Sequence, residues 1–320
     1  CLLHKTVDHP TAKITVHMSI PRLFLSSFLC ACVCLSLGLN TLSAQAPAVD
    51  LEQATPASQF IEAKIGEKTF KAQKILSGDL GQGSFSWSGS LLGTEKGFLS
   101  FAKSGDHFNG SLTLFGGNGF SIKGKKGSLI FQPGFAHAKN CGGCKFEEGQ
   151  LPPDPRKAAQ PLKSWRNGDA NLIDLLIVYP TAVRSAAGST AAVEAAIASA
   201  VADSNLCYRS SLVPMQLRVV HMAEVVYTPT GLLDTDLSRL KNPSDGSMDN
   251  VHALRDQYGA DLVCMLTTTS DSGGLASTMQ HPSHNFESSG FNVNVWDQLG
   301  APSYTLAHEI GHNMGCLHNR

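Results

Sequence analysis

The chain has 320 residues, 42% of them hydrophobic and 16% charged, which is the balance of ordinary globular protein with room for two modest domains. Its formal net charge is −1 and Lys and Arg form no cluster, so nothing draws this surface electrostatically toward nucleic acid or anionic lipid. Charge therefore excludes those two partner classes as drivers and says nothing about any other.

Residue 1 is Cys rather than Met, and a targeting signal starts at Met18, so residues 1–17 read as upstream, non-native sequence. A short segment ending in Arg22, an apolar stretch from Leu23 to Leu39 and small residues through Ala44 predict a signal peptide over 18–44, cleaved after Ala44. A membrane anchor is the competing reading, but Ser26, Ser27, Ser36 and Gly38 interrupt the apolar run. Leu29-Cys30-Ala31-Cys32 faintly resembles a lipoprotein box, and the continued apolarity beyond it argues against lipidation. The expectation is a secreted or periplasmic protein with no stable membrane span in the mature chain. Its remaining cysteines, Cys141, Cys144, Cys207, Cys264 and Cys316, then lie in a compartment that permits disulfides.

Residues 47–146 read as a small antiparallel all-β domain. Short alternating runs such as Phe85-Ser86-Trp87-Ser88, Ser111-Leu112-Thr113-Leu114 and Phe120-Ser121-Ile122-Lys123 are separated by Gly-rich turns. Nine phenylalanines from Phe70 to Phe135 supply apolar surface that a disordered segment lacks. Residues 147–168, with Leu151-Pro152-Pro153-Asp154-Pro155, read as an exposed linker.

From 169 to 320 the period changes to an α/β alternation. Leu172–Tyr179 is a continuous apolar run ended by Pro180, as in a buried strand, and Val193, Ile197 and Val201 give one face of a helix over Thr190–Ser204. Met215–Tyr227 reads as a strand, followed by helices around Leu232–Leu240 and Met248–Tyr258, the second closed by Gly259. Asp261–Thr269 predicts another buried strand, Leu275–Thr278 a short edge strand and Phe291–Trp296 a further strand. Pro302-Ser303 caps a last helix opening at Tyr304. The fold expected is a mixed twisted sheet carrying this last helix.

That helix holds His308-Glu309-Ile310-Gly311-His312-Asn313-Met314-Gly315-Cys316-Leu317-His318. Positions four apart on a helix differ by about 40° and 6 Å of rise, so the imidazoles of His308 and His312 can clamp one metal ion. Glu309, about 100° round from His308, can hydrogen-bond a water at the metal without ligating it. Gly315 allows a positive φ that turns the chain out of the helix and returns His318 as third ligand. Three protein ligands leave one position open, which separates a catalytic zinc site from a closed structural one.

The motif resembles HExxHxxGxxH of the metzincins, and within them the reprolysin (adamalysin) group of bacterial secreted type. The likeness extends to Asp174-Leu175-Leu176-Ile177-Val178-Tyr179, to Met248-Asp249-Asn250-Val251-His252-Ala253-Leu254-Arg255-Asp256 and to Gly259-Ala260-Asp261-Leu262-Val263, and Asn313 also fits the group. The resemblance implies one catalytic zinc on His308, His312 and His318, Glu309 as general base, and a protein or peptide substrate paired to an edge strand. The sequence departs from the group in Asn319, where Asp usually follows the third His, and in stopping at Arg320 before a Met-turn, so 169–320 is expected to be a catalytic domain truncated at its C-terminus.

Cys141-Gly142-Gly143-Cys144, just before the linker, is open to two main readings: a disulfide, or a thiolate that holds a precursor silent by occupying the metal's open position. His281-Pro282-Ser283-His284 reads as a polar surface loop. The function expected is thus a secreted zinc metalloendopeptidase made as a zymogen. The alternative from another class is a noncatalytic secreted binding or adhesion protein that retains a zinc site.

Overall fold

A computed structural model describes residues 47–115, 119–134, 171–268 and 270–318. Cys141, Cys144, the signal segment, the linker and the upstream residues lie outside the described residues.

The N-terminal half is an eight-stranded sheet in sequential order: β1 (Val49–Asp50), β2 (Phe60–Ile65), β3 (Lys68–Gly81), β4 (Ser84–Leu91), β5 (Gly97–Ser104), β6 (His107–Leu114), β7 (Gly119–Lys125) and β8 (Ser128–Pro133). The pairing is antiparallel from β2 to β8, while β1, upstream of the alternating runs, pairs parallel to β2. One face carries Trp87, Leu99, Phe101, Leu112 and Ile122 in a closed apolar core. Trp87 stands opposite Phe101 with ring centroids 5.9 Å apart, and its indole N–H donates to the carbonyl of Ser58, at 2.8 Å. The other face presents a row of serines, with Ser88, Ser100, Ser111 and Ser121 in register across β4 to β7.

The second sheet has the order β10-β9-β11-β13-β12, built from β9 (Asn171–Pro180), β10 (Met215–Val225), β11 (Leu262–Thr267), β12 (Gly274–Ala276) and β13 (Phe291–Val295). Every pairing in it is parallel except that of the edge strand β12 with β13. The continuous apolar runs have a direct cause: β9 sends Leu175, Ile177 and Tyr179 to one core and Leu176 and Val178 to another, and β11 divides Leu262, Cys264 and Leu266 from Val263 and Met265 in the same way. Helices α3 (Leu233–Lys241) and α4 (Asn250–Tyr258) cover the second core through Leu237, Leu240 and Val251, while α2 (Thr190–Ser210) and α5 (Thr305–Asn313) cover the first. Burial pushes the Cys264 thiol up to about 12, so it packs as a small apolar side chain.

Several boundaries differ from the sequence expectation. Pro180 ends β9 but immediately opens an unforeseen helix, α1 (Thr181–Ala187), closed by Gly188 at φ 91°. Helix α2 runs on to Ser210, because its small and apolar residues are buried on more than one side. Ser303 does not cap α5: that helix starts at Thr305 after Tyr304, which sits at φ 51° without a side-chain cap.

Helix α2 joins the two sheets. Val193, Ile197, Ala200 and Val201 enter the α/β core, while small residues such as Ala195, Ala198, Ser199 and Ala202 are also buried, and α2 packs against β3 to β6. A helix apolar around most of its circumference is one covered on both sides. The contact is pinned by polar bonds: Ser104 Oγ donates to Glu194 Oε2 at 2.6 Å, and Ser189 Oγ lies 3.2 Å from His107 Nε2. Lys123 Nζ stands 6.0 Å over the Trp296 ring from the sheet side. Among the described residues no single helix is long and apolar enough to cross a membrane; α1 and α2 pass that test only as a pair bent by 90°.

Candidate metal centre

Helix α5 lies under β12 and β13 and presents two adjoining faces. Leu306 and Ile310 anchor it in the core shared with α2 and β9. Positions 309 and 313, one turn apart, both meet the underside of the sheet, and positions 308 and 312 turn about 100° away from them. Gly315 leaves the helix at φ 89°, the conformation its place in the motif requires, and carries the chain round so that His318 faces back.

The three imidazoles converge. His308 Nε2 is 3.0 Å from His318 Nε2 and 3.1 Å from His312 Nε2, and one ligand atom from each of the three residues falls within a 4.8 Å cluster. A tetrahedral ion holding nitrogens at about 2.0–2.1 Å separates them by about 3.3 Å, so the donor set and its spacing fit a single small cation such as zinc. The orientation is fixed from behind: His312 Nδ1 lies 2.7 Å from the Cys316 carbonyl, and since that oxygen only accepts, Nδ1 carries the hydrogen and Nε2 offers its lone pair. Burial, then the neighbouring His312 and His318, hold His308 below the usual imidazole range; burial also lowers His312, against the raising effect of the Cys316 bond. Neutral imidazoles are the form that binds a metal.

Glu309 is fully buried beside this cluster, at 0% exposure. Its neighbour is Gly274 on β12, which no sequence pattern singles out. A Cβ there would stand 2.6 Å from Glu309 Oε1, 2.7 Å from Glu309 Cγ and 2.7 Å from Thr305 Cγ2, so only glycine lets the edge strand lie directly over the carboxylate. Replacing Gly274 with Ala is expected to displace Glu309, lowering turnover about tenfold and stability by about 1–3 kcal/mol. Steady-state kinetics beside a thermal melt would check this, and unchanged turnover would mean that the carboxylate has room to yield.

Two more residues missed in the sequence are Asn292 and Asn294. Their alternation with Phe291, Val293 and Val295 marks a strand but not where its polar face goes. Both are 0% exposed, on the face of β13 turned to α5. Asn313, beside the second ligand, is equally buried and is bonded to Asn292. The other sequence candidates fall elsewhere: His281 and His284 are exposed, and Cys207 and Cys316 are not bridged to each other.

Residues 169–320 match the family described as Metallo-peptidase family M12. A peptidyl-Asp metalloendopeptidase of Stenotrophomonas maltophilia is 33% identical over 153 residues, covering 48% of this chain and 35% of that protein. A protein of the same name from Xanthomonas campestris is 26% identical over 297 residues, covering 88% of this chain and 69% of its own length. The chain thus spans about a third of the Stenotrophomonas relative it matches. Metalloproteinase-II from Bacteroides fragilis aligns in structure over 81% of each chain, with 13% identity and a TM-score of 0.47. Residues 169–320, which carry the histidine triad and its glutamate, are thus similar to metallo-peptidase family M12, and together with the relatives this likeness supports a metzincin-type metallopeptidase.

Proposed function

We propose that this chain is a zinc metalloendopeptidase, made as a secreted or periplasmic precursor, in which Glu309 is the general base and the eight-stranded sheet is the pro-domain. The observation that carries the reading is the convergence of His308, His312 and His318 with a buried carboxylate next to the first of them on the same helix. When bound, zinc supplies a Lewis acid that polarises a carbonyl and brings the pKa of water down to about 7. The rest is done by the chain. The Cys316 carbonyl holds His312 in the tautomer that offers Nε2. Glu309 takes a proton from the attacking water and returns it to the leaving amine nitrogen. Among the described residues β12 pairs with β13 alone, and its other edge offers backbone groups to an extended peptide.

The names of the relatives extend the proposal to peptide bonds at aspartate. Latency is proposed to reside in the N-terminal half, with Cys141 or Cys144 as thiolate ligand. Precursors carrying Cys141→Ser and Cys144→Ser, singly and together, are expected to gain activity without cleavage; equal latency in all three would leave steric cover by the sheet as the cause. The central test uses processed, zinc-loaded protein on unfolded casein and on Asp-containing peptides. Hydrolysis abolished by 1,10-phenanthroline and restored by zinc is expected. A zinc-loaded, processed chain that cleaves neither substrate overturns the proposal in favour of a noncatalytic binding protein.

A further inference from the structure

We propose that Asn313 is a positioning residue that sets the height of the metal helix under the edge strand, through a buried chain of three carboxamides. The proposal rests on reading the histidine triad as a zinc site. Asn313 Nδ2 donates to the carbonyls of Ser277, at 2.9 Å, and Phe291, at 3.1 Å. Its Oδ1 accepts from Asn292 Nδ2 at 2.8 Å, and Asn292 Oδ1 accepts from Asn294 Nδ2 at 2.7 Å. The direction of the chain is forced. Two backbone carbonyls can only accept, so the Asn313 amino group must face them; its oxygen then faces Asn292, and so on outward. Each dipole polarises the next, which stiffens the whole row in the buried interior.

What the row joins gives it a purpose. Ser277 directly follows β12 and Phe291 opens β13, so Asn313 closes the end of that strand pair. On the other side of the same helix end, the backbone N–H of Met279 donates to the carbonyl of His312 at 3.1 Å. The segment from β12 to Met279 is therefore pinned to α5 immediately beside a metal ligand, and Gly274 at its start lies against Glu309. Helix-to-sheet packing elsewhere in this domain rests mainly on Leu, Ile and Val, with the Asn205 side chain between α2 and β10 as a polar exception. Three fully buried amides stand where the register between ligand, carboxylate and edge strand must hold to a fraction of an ångström.

Only an amide satisfies this position. Alanine would take the amide partner from the Ser277 carbonyl and the Asn292 amino group and leave the Phe291 carbonyl to the Ser277 N–H, at 3.3 Å; aspartate, nearly the same shape, would set an oxygen against two carbonyls. Asn205 supplies a matched control, since it makes a two-bond clamp to Leu217 between α2 and β10, through its amide oxygen at 2.7 Å and its nitrogen at 3.0 Å.

The test compares the full chain with Asn313→Ala, Asn313→Asp and Asn205→Ala, measuring zinc affinity by chelator competition, kcat and KM separately at saturating zinc, and the melting temperature. The expected result is zinc binding weakened about ten- to a hundredfold in Asn313→Ala and more in Asn313→Asp, with kcat also reduced. Asn205→Ala should lower the melting temperature alone. If Asn313→Ala keeps parental zinc affinity and kcat while melting like Asn205→Ala, Asn313 only stabilises and the proposal is overturned. Should the Asn313 variants not fold, Asn292→Ala, which takes the middle amide out of the row and leaves Asn313 its two carbonyl partners, is measured instead; parental zinc affinity and kcat there overturn the proposal equally. A folded parent that binds no zinc overturns the zinc reading and this proposal with it.

Discussion

Glu309→Gln is expected to keep its zinc and lose about 10² to 10⁴ in turnover, which is about 3 to 5 kcal/mol of transition-state stabilisation. Glutamine keeps the length and shape that fit beneath Gly274, so the change should not disturb the contact in which a Cβ would come within 2.6 Å of the carboxylate. It removes only the ability to accept a proton and give it back. The three ligand nitrogens and the Cys316 carbonyl that orients one of them are untouched, so metal content should equal that of the parent. Zinc analysis and steady-state kinetics on the same preparation separate the two effects. Turnover within tenfold of the parent at equal zinc content would remove Glu309 from the role of base. A joint loss of zinc and activity would make it a structural support of the site instead.

Why the metal triad was legible in the sequence while its supports were not is a matter of what constrains each. A metal ion imposes residue type and spacing together, so His308, His312, Gly315 and His318 announce themselves in one short run. The strands β9 and β11 were equally plain, because burial on both faces leaves no polar position to interrupt them. Polar rows are different. Ser88, Ser100 and Ser111 in one sheet, and Asn292 and Asn294 in the other, alternate with apolar residues just as solvent-facing positions do, yet all are buried at 2% exposure or less. The pattern fixes the pleat and leaves the destination of its polar face open. In the first case the serine row meets the small-residue side of α2, and in the second the amides meet Asn313. Both pairings join segments far apart in sequence, where no local spacing can register them. Gly274 was silent for the same reason: its need for a bare Cα comes from Glu309, 35 positions away by subtraction of their numbers.

Asp203→Asn is expected to stabilise the folded chain by about 2–3 kcal/mol at neutral pH. Asp203 lies on α2 at 3% exposure, beside a cavity of about 470 Å³ between the serine face of the first sheet and the 296–303 segment. Burial pushes its carboxyl up to about 6, although the backbone N–H of Ala301, at 2.9 Å, and the Ser100 hydroxyl both favour the charge. Against an unfolded value of about 3.9, a rise of about two pKa units amounts to about 3 kcal/mol. The sign follows from proton counting. Between about pH 4 and pH 6 the folded chain holds a proton that the unfolded chain has released, so this group's contribution to stability falls as pH rises through that window and levels off above it. Asparagine is neutral throughout and keeps an oxygen for the Ala301 N–H. Its advantage should therefore be full at pH 7.5 and mostly gone at pH 4. Urea unfolding of both proteins at the two pH values measures the difference directly, with effects of the other carboxylates cancelling between variant and parent. An advantage that is absent at pH 7.5, or equal at both, would mean that burial does not control this carboxyl. The predicted dependence places the cost of the charge at the junction of the two halves, where Ser100 of the first sheet and Ala301 ahead of the metal helix meet on one oxygen-bearing side chain. Acid should then tighten that junction and neutral pH loosen it, which is the opposite of two halves held together by charged carboxylates.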